Sequence, residues 1–481
     1  MGKLMSRRTF LGGSMAFLVA GWRNATELFG TPELQFGVLS DVHITTPQSV
    51  AVMEKAFAWF RQRGADAVMM PGDLTDWGLC RSFDYLEASW EKYFKDGKTV
   101  PLFCTGNHDY EGWRYADMAM EMFTNGYSKE EALCKCGLER YWEKTFGEKF
   151  APVRVRTVKG YDFVSAEWRA EKDVPDWLAA NGSRLKGKKP FFYFQHVPIN
   201  GTTGDSRRNG SKDPVYTALK AFPNAIAFTG HTHTTFNDER SVWQGDFTAF
   251  AVPSLSYAGL PWVENGSGLR NGKAKKTMPA LPYRRDLRGG QGYYVSVYSD
   301  KMVVERIDVE EGCVAGAEAW VVPLGSNEKP FAPSVRAAAS VAPKFPAGAR
   351  VRTETRNADS RIGKWAIVMN CTFESAVPFP GERVHHYEIA AVPKDGSKSL
   401  VKRFLSPAFA KMAKYEPKVQ RFWLNAAELP RGTEYVLQVR AVNCYGKRSA
   451  PLISRVWRSA TPSSAGKGVK DTTAETAAGS V

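Results

Sequence analysis

The chain has 481 residues, 43% of them hydrophobic, enough to bury a core in each of roughly three domains, which excludes a disordered or fibrous protein. Seven cysteines scattered over that length exclude a small disulfide scaffold. Cys134 and Cys136 lack the spacing of a zinc knuckle, so the cysteines read mainly as buried thiols. Sixty-five Lys and Arg against 50 Asp and Glu leave a net charge of +15, compatible with nucleic acid, a membrane surface or an anionic substrate, and selecting none of them.

Residues 1–31 carry Arg7-Arg8, then Phe10-Leu11 and a short apolar stretch rich in Gly and Ala. This resembles a twin-arginine export signal. The stretch is too short to span a bilayer comfortably, so no transmembrane span is expected in the mature chain. A cleavage site is not legible, because Ala20 and Ala25 both lack a small residue two positions before them. The expectation is a periplasmic or extracellular protein, exported after folding with its cofactor in place.

From 34 to 40, "LQFGVLS" is a short β-prone run that stops at Asp41-Val42-His43. Val52, Met53, Ala56, Phe57 and Phe60 then recur like one face of a helix. "ADAVMMPGD" repeats the arrangement with a strand ending at Asp73, and a second helical stretch runs from about Phe83 to Phe94. "VPLFCTGNHD" ends at Asn107-His108-Asp109, "KPFFYFQHVP" at His196, and "AIAFTGHTH" at His231 and His233. Five apolar runs therefore each terminate in residues able to bind a metal, and they use five of the seven histidines. In open α/β sheets, ligand sites collect beyond the carboxyl ends of the strands, so these side chains are expected to meet if the runs lie side by side.

Taken in order, "SDVH", "PGDLTD", "TGNHD", "QHVP" and "TGHTH" resemble the full motif set of the calcineurin-like metallophosphoesterases, over residues 32–324. The resemblance implies an α/β fold, a β-sandwich flanked by α-helices with the site at one end. It also implies one metal held by Asp41, His43 and His233, another by Asn107, His196 and His231, and Asp73 bridging the two. Mixed oxygen and nitrogen donors without thiolate suit two divalent or trivalent ions of the Mn, Fe or Zn kind. Such a pair polarises phosphoryl oxygens and activates a bridging water for in-line hydrolysis of a phosphomonoester or phosphodiester. In this family the remaining histidine, His108, sits beside the metals and stabilises the transferring group or protonates the leaving oxygen, with Asp109 expected to orient its ring. Asp76 stands where the purple acid phosphatases carry a tyrosine ligand, which argues against that subfamily.

Substrate contacts are expected from insertions next to these motifs: Arg114 after His108-Asp109, as a phosphate clamp, and Arg207 and Arg208 after His196. A further stretch, 263–290, concentrates Lys and Arg and could steer an anionic phosphoester. Nucleic acid is a possible substrate, with no motif that indicates it.

Residues 325–345, rich in Pro, Ala and Ser without a clear period, read as a linker. In 346–458, "VHHYEIAAVP" and "TEYVLQVRAVNCYG" alternate at period two, as half-buried strands do. The second half of this region resembles the closing strands of a fibronectin type III domain with Tyr435 at the tyrosine corner, implying a small all-β sandwich whose protein or glycan partner is unknown. His385 and His386 lie within one strand and are expected to face opposite sides, as structural residues. Residues 459–481 are small and polar, a tail without a core. A second reading makes the protein a surface-binding or adhesion molecule, working through the fibronectin-like part beside a vestigial metal site.

Overall fold

The computed structural model describes residues 30–110, 142–143, 145–203, 210–259, 287–315, 318–358, 366–425, 428–429 and 432–458. The expected export signal, most of the basic stretch at 263–290 and the C-terminal tail lie outside these residues.

Strands β1 (Leu34–Val38), β2 (Ala67–Pro71) and β3 (Val100–Cys104) run parallel and side by side, joined by helices α1 (Pro47–Gln62) and α2 (Cys80–Phe94). The start of α1 is set locally: Pro47 takes the first turn, the Thr46 hydroxyl accepts from the Ser49 amide, and the Ser49 hydroxyl accepts from the Thr46 amide. Its Met53, Ala56, Phe57 and Phe60 are buried at helical spacing, as the sequence predicts.

A second sheet begins with β4 (Val153–Val158) antiparallel to β5 (Tyr161–Ala166). It continues in parallel through β6 (Phe191–Gln195) and β7 (Ala225–Thr234) to β9 (Thr248–Pro253), with β8 (Val242–Gln244) at the edge. Helices α3 (Val174–Asn181) and α4 (Pro214–Leu219) cover its outer face. A two-stranded ribbon, β10 (Tyr257–Ala258) with β11 (Leu287–Arg288), leads into β12 (Gln291–Val297) and β13 (Lys301–Asp308), which extend the first sheet antiparallel from β1. Strands β14 (Cys313–Val314) and β15 (Trp320–Pro323) finish that sheet.

The two sheets bury one continuous core between them. Phe36 of the first meets Phe163, Phe192 and Phe228 of the second edge to face, with ring centroids 5.4, 5.0 and 6.0 Å away. Truncating a ring in such a position costs about 3–5 kcal/mol. Helices α1 and α2 close the outer face of the first sheet, giving the expected helix-flanked sandwich. Because β1, β2, β3, β6, β7 and β9 all point the same way within their sheets, their carboxyl ends share one end of it. The bridge between Ser40 and Ser254 ties the sheets together there.

The region 325–345 is not a featureless linker. It contains α5 (Pro333–Ala339), whose Arg336 reaches the buried carboxylate of Glu239. Arg306 also pairs with Glu239, and the Trp320 indole donates to it at 3.1 Å. Burial alone would raise the Glu239 carboxyl, but the two guanidinium groups hold it below its ordinary range. The thiol reading of the cysteines needs one amendment: Cys104, Cys371 and Cys444 are buried free thiols, whereas Cys80 is disulfide-bonded. No helix among the described residues is long and apolar enough to cross a membrane.

The C-terminal part consists of antiparallel sheets. Strands β16 (Arg352–Ala358), β17 (Ala366–Glu374) and β20 (Val419–Asn425) form one. Strands β18 (Val384–Pro393), β19 (Leu400–Leu405), β21 (Glu434–Asn443), β22 (Leu452–Ile453) and β23 (Trp457–Arg458) form the other. Met369, Phe373 and Leu424 from the first share a core with Tyr387, Ile389, Leu437 and Val439 from the second.

The expectation that His385 and His386 face opposite ways fails, because a register irregularity between Val384 and His386 breaks the alternation. Both rings are buried, their Nδ1 atoms lie 2.8 Å apart, and Arg403 donates to His386 Nε2 at 3.1 Å. Burial, against the pull of Glu388, depresses the His386 pKa to about 4. The unfolded chain therefore binds a proton that the folded chain refuses, and stability is lost as pH falls from about 6.5 towards 4. Calorimetric melting across that window is expected to show a steeper fall in Tm for the wild type than for His386→Asn. Parallel curves would place the acid sensitivity elsewhere.

Candidate metal centre

Each expected ligand among the described residues sits just beyond a strand: Asp41 and His43 after β1, Asp73 after β2, Asn107 after β3, His196 after β6, with His231 and His233 at the end of β7. They converge. Asp41, His43, Asp73 and His233 offer donor atoms within 4.8 Å of one another, as do Asp73, His196 and His231. Asp73 is common to both groups, at 3.0 Å from His196 Nε2 and 3.7 Å from His43 Nε2.

The backbone is bent to bring this about. Among the described residues, seven non-glycine positions have positive φ, and five of them are Asp41, His43, Asp73, His231 and His233. Such conformations cost of order 1–3 kcal/mol each and persist only where the surroundings over-determine them. Here the surroundings do so: the amides of Val42 and His43 donate to the Asp73 carbonyl, and the His231 amide donates to the Asp41 carboxylate at 3.0 Å. Glycine makes the close approach possible. A Cβ on Gly106 would lie 2.2 Å from Asp73 Oδ1, and one on Gly230 would lie 1.9 Å from Ser40 Oγ.

The hydrogen bonds settle which ring nitrogen faces the centre. His196 Nδ1 donates to the Pro71 carbonyl at 3.0 Å, His233 Nδ1 to the Tyr257 carbonyl at 2.8 Å, and His43 Nδ1 to the Asp76 carboxylate at 2.8 Å. With those protons assigned, each Nε2 presents a lone pair inward, and His43 Nε2 stands 3.3 Å from His233 Nε2. Two lone pairs at that separation repel unless a cation lies between the rings. Asn107 Oδ1 is likewise buried without a hydrogen-bond partner. A cage of inward lone pairs, a shared carboxylate and an orphaned amide oxygen fits metal ions and little else.

Electrostatics agree. Burial would raise the Asp73 carboxyl, but the charges of His196, His43 and His108 hold it far below its ordinary range. Burial would likewise lower His196, yet Asp73 lifts it to about 9, a proton standing where a cation would serve better. His231, desolvated and beside His196, is depressed to about 4, the neutral form a ligand needs.

His108 opens a short 3-10 turn and is partly exposed at the edge of this cage, its amide donating to Asp73 Oδ1 at 2.9 Å. Its ring meets Asp76, Nδ1 lying 3.0 Å from Asp76 Oδ1, and the same oxygen holds His43. Asp109 does not orient that ring. Its fully buried carboxylate accepts from the amides of Leu74, Thr75 and Gly106 and from the Thr75 hydroxyl, locking the loops after β2 and β3 together. Burial, then the nearby charge of Asp73, pushes Asp109 up to about 6 despite these four bonds.

Two residues received no role in the site from the sequence: Asp76, noted only as a departure from the purple acid phosphatases, and Tyr257. Asp76 could have been found from its place three residues after Asp73 in "PGDLTD". Tyr257, whose ring stacks on His233 with centroids 4.1 Å apart, has no signal in its neighbourhood. The expected substrate contacts Arg114, Arg207 and Arg208 lie outside the described residues.

Residues 34–235 match the calcineurin-like phosphoesterase family. No curated protein matches the chain. Among solved structures, the chain is similar to a dimetal phosphatase from Danio rerio, at 10% identity over 61% of this chain and 99% of that one, with a TM-score of 0.35. It is also similar to the inner-membrane-complex anchor of Plasmodium, at 12% identity over 62% and 90% with a TM-score of 0.36. A purple acid phosphatase from yellow lupin gives 10% identity over 60% and 53% with a TM-score of 0.35. These likenesses are distant, and the family rests on the sequence match. The segment 34–235 matches the calcineurin-like phosphoesterases, and that match supports metal-dependent phosphoester hydrolysis.

Proposed function

We propose that the protein is an exported phosphoesterase that uses two metal ions to hydrolyse an anionic phosphomonoester or phosphodiester. The observation that carries this reading is the set of inward imidazole lone pairs on either side of Asp73. In this reading Asp41, His43 and His233 hold one ion, Asn107, His196 and His231 the other, and Asp73 touches both. Once bound, ions of the Mn, Fe or Zn kind supply Lewis-acid polarisation of the phosphoryl oxygens and an activated water.

The chain's own residues do the rest. Asp76 accepts a hydrogen bond from His43, which raises the basicity of that ligand, and holds the His108 ring so that its other nitrogen is available to the substrate. His108 then donates a proton or hydrogen bond to the leaving oxygen, as a partly exposed imidazole beside a carboxylate can. Arg114, Arg207 and Arg208 are proposed to grip the phosphate, on their adjacency to His108 and His196 in the chain.

Export rests on Arg7-Arg8 and the short apolar stretch behind them, and a disulfide at Cys80 suits an oxidising compartment. The C-terminal sheets with Tyr435 buried at the head of β21 suit a fibronectin type III-like sandwich. Adhesion through that part beside a vestigial site is the less favoured reading, because the donor set is complete.

Elemental analysis of the purified chain is expected to find two ions. Chelation should abolish hydrolysis of p-nitrophenyl phosphate or its bis ester, and Mn, Fe or Zn should restore it; activity indifferent to chelator would refute the reading. The ester preferred separates monoesterase from diesterase, and a nuclease would also lose affinity steeply with salt.

Replacing His108 by Ala is expected to lower kcat by roughly 10²–10⁴ with the metal retained. Asp76→Asn should lower kcat and also weaken one ion, since it touches a ligand as well as His108. Unchanged kinetics in His108→Ala would remove that residue from the chemistry.

A further inference from the structure

The turn at 406–411, between β19 and β20, leaves the C-terminal domain and is buried in the catalytic one. Ser406, Ala408, Phe409 and Ala410 are all buried. A buried turn carries carbonyls that must find donors. Three consecutive ones find them across the domain boundary. The Phe409 carbonyl accepts from the Thr235 hydroxyl at 3.1 Å and from Asn237 Nδ2 at 2.7 Å. The Ala410 carbonyl accepts from Gln291 Nε2 at 2.9 Å, and the Lys411 carbonyl from Asn237 Nδ2 at 2.8 Å.

Those donors are placed with purpose. Thr235 and Asn237 stand two and four residues beyond His233, so the turn grips the strand end that carries this ligand. A second route leads to the same ring. Leu405, Phe409 and Ala410 form an apolar cluster with Ala258. Its neighbour Tyr257 stacks on His233 and accepts the His233 Nδ1 proton through its carbonyl. The Gly259 amide closes the arrangement by donating to the His233 carbonyl at 2.6 Å. His233 has positive φ, a conformation that needs such outside support.

We propose that the C-terminal domain is a structural part of the metal centre, with Phe409 a positioning residue that acts through Ala258 and Tyr257 on His233. This rests on the reading of Asp41, His43, Asp73 and His233 as holding an ion. The other donor group is anchored independently, since His196 is fixed by the Pro71 carbonyl. Loss of the clamp therefore weakens one ion and spares the other.

The test is a competitive chelator titration of zinc on the full chain, with folding checked by circular dichroism and melting. Phe409→Ala and Asn237→Ala are expected to weaken one of two bound ions by roughly tenfold or more and to leave the second. Phe409→Leu, which keeps an apolar branch against Ala258, should restore the affinity. Tyr445→Phe serves as a control elsewhere on the interface, where the phenol donates to the Glu239 carbonyl at 3.2 Å, and should leave both ions alone. If Phe409→Ala fails to fold, Asn237→Ala decides, because it leaves the sandwich core intact. Folded variants with both ions at wild-type affinity would overturn the proposal while leaving the phosphoesterase reading standing. A wild-type chain that takes up none of manganese, iron or zinc would overturn both.

Discussion

One buried carboxylate organises this protein. Asp73 is closed off from water between His43, His196 and the amide of His108, where burying a charge costs several kcal/mol unless it is paired and hydrogen-bonded. Meeting that requirement forces three strand ends from two sheets to arrive at the same point. It goes with a backbone that turns left-handed at Asp41, His43, Asp73, His231 and His233, and it leaves Gly106 no room for a side chain beside Asp73 Oδ1. The strain and the missing atoms are local costs of a geometry that only a shared charge makes worthwhile.

Much of that geometry was legible in the sequence, because strands that end in residues able to bind a metal leave a repeated trace: an apolar run, then a polar donor. The helix face of Met53, Ala56, Phe57 and Phe60 was equally plain, since its period holds over about two turns. What the chain order did not reveal was which carboxylate meets which imidazole. Asp109 is the neighbour of His108, but the 3-10 turn aims its carboxylate at amides of the β2 loop, leaving Asp76 to meet the ring. Adjacency in sequence is a weak guide where a turn reverses direction within one residue.

The same limit applies further along. Alternation predicts that His385 and His386 part company, and one irregularity in β18 brings them together. A period also fails for α5, because seven residues are too few to display one, and a single arginine docks the helix on Glu239. That pairing turns an apparent spacer into a fastening. Removing either guanidinium would leave a buried carboxylate undercompensated, so α5 is fastened to the N-terminal part by charge.

The clamp at 406–411 has a consequence for the order of events during synthesis. Domains tend to fold as they emerge, the N-terminal one first. Here the end of β7 is gripped by carbonyls that the ribosome delivers 176 to 178 residues after His233. A nascent chain with its two sheets already assembled would still lack the piece that steadies one ligand. On that proposal a chain still lacking the turn would hold one ion less tightly, while the donor group fixed at the Pro71 carbonyl would already be in place.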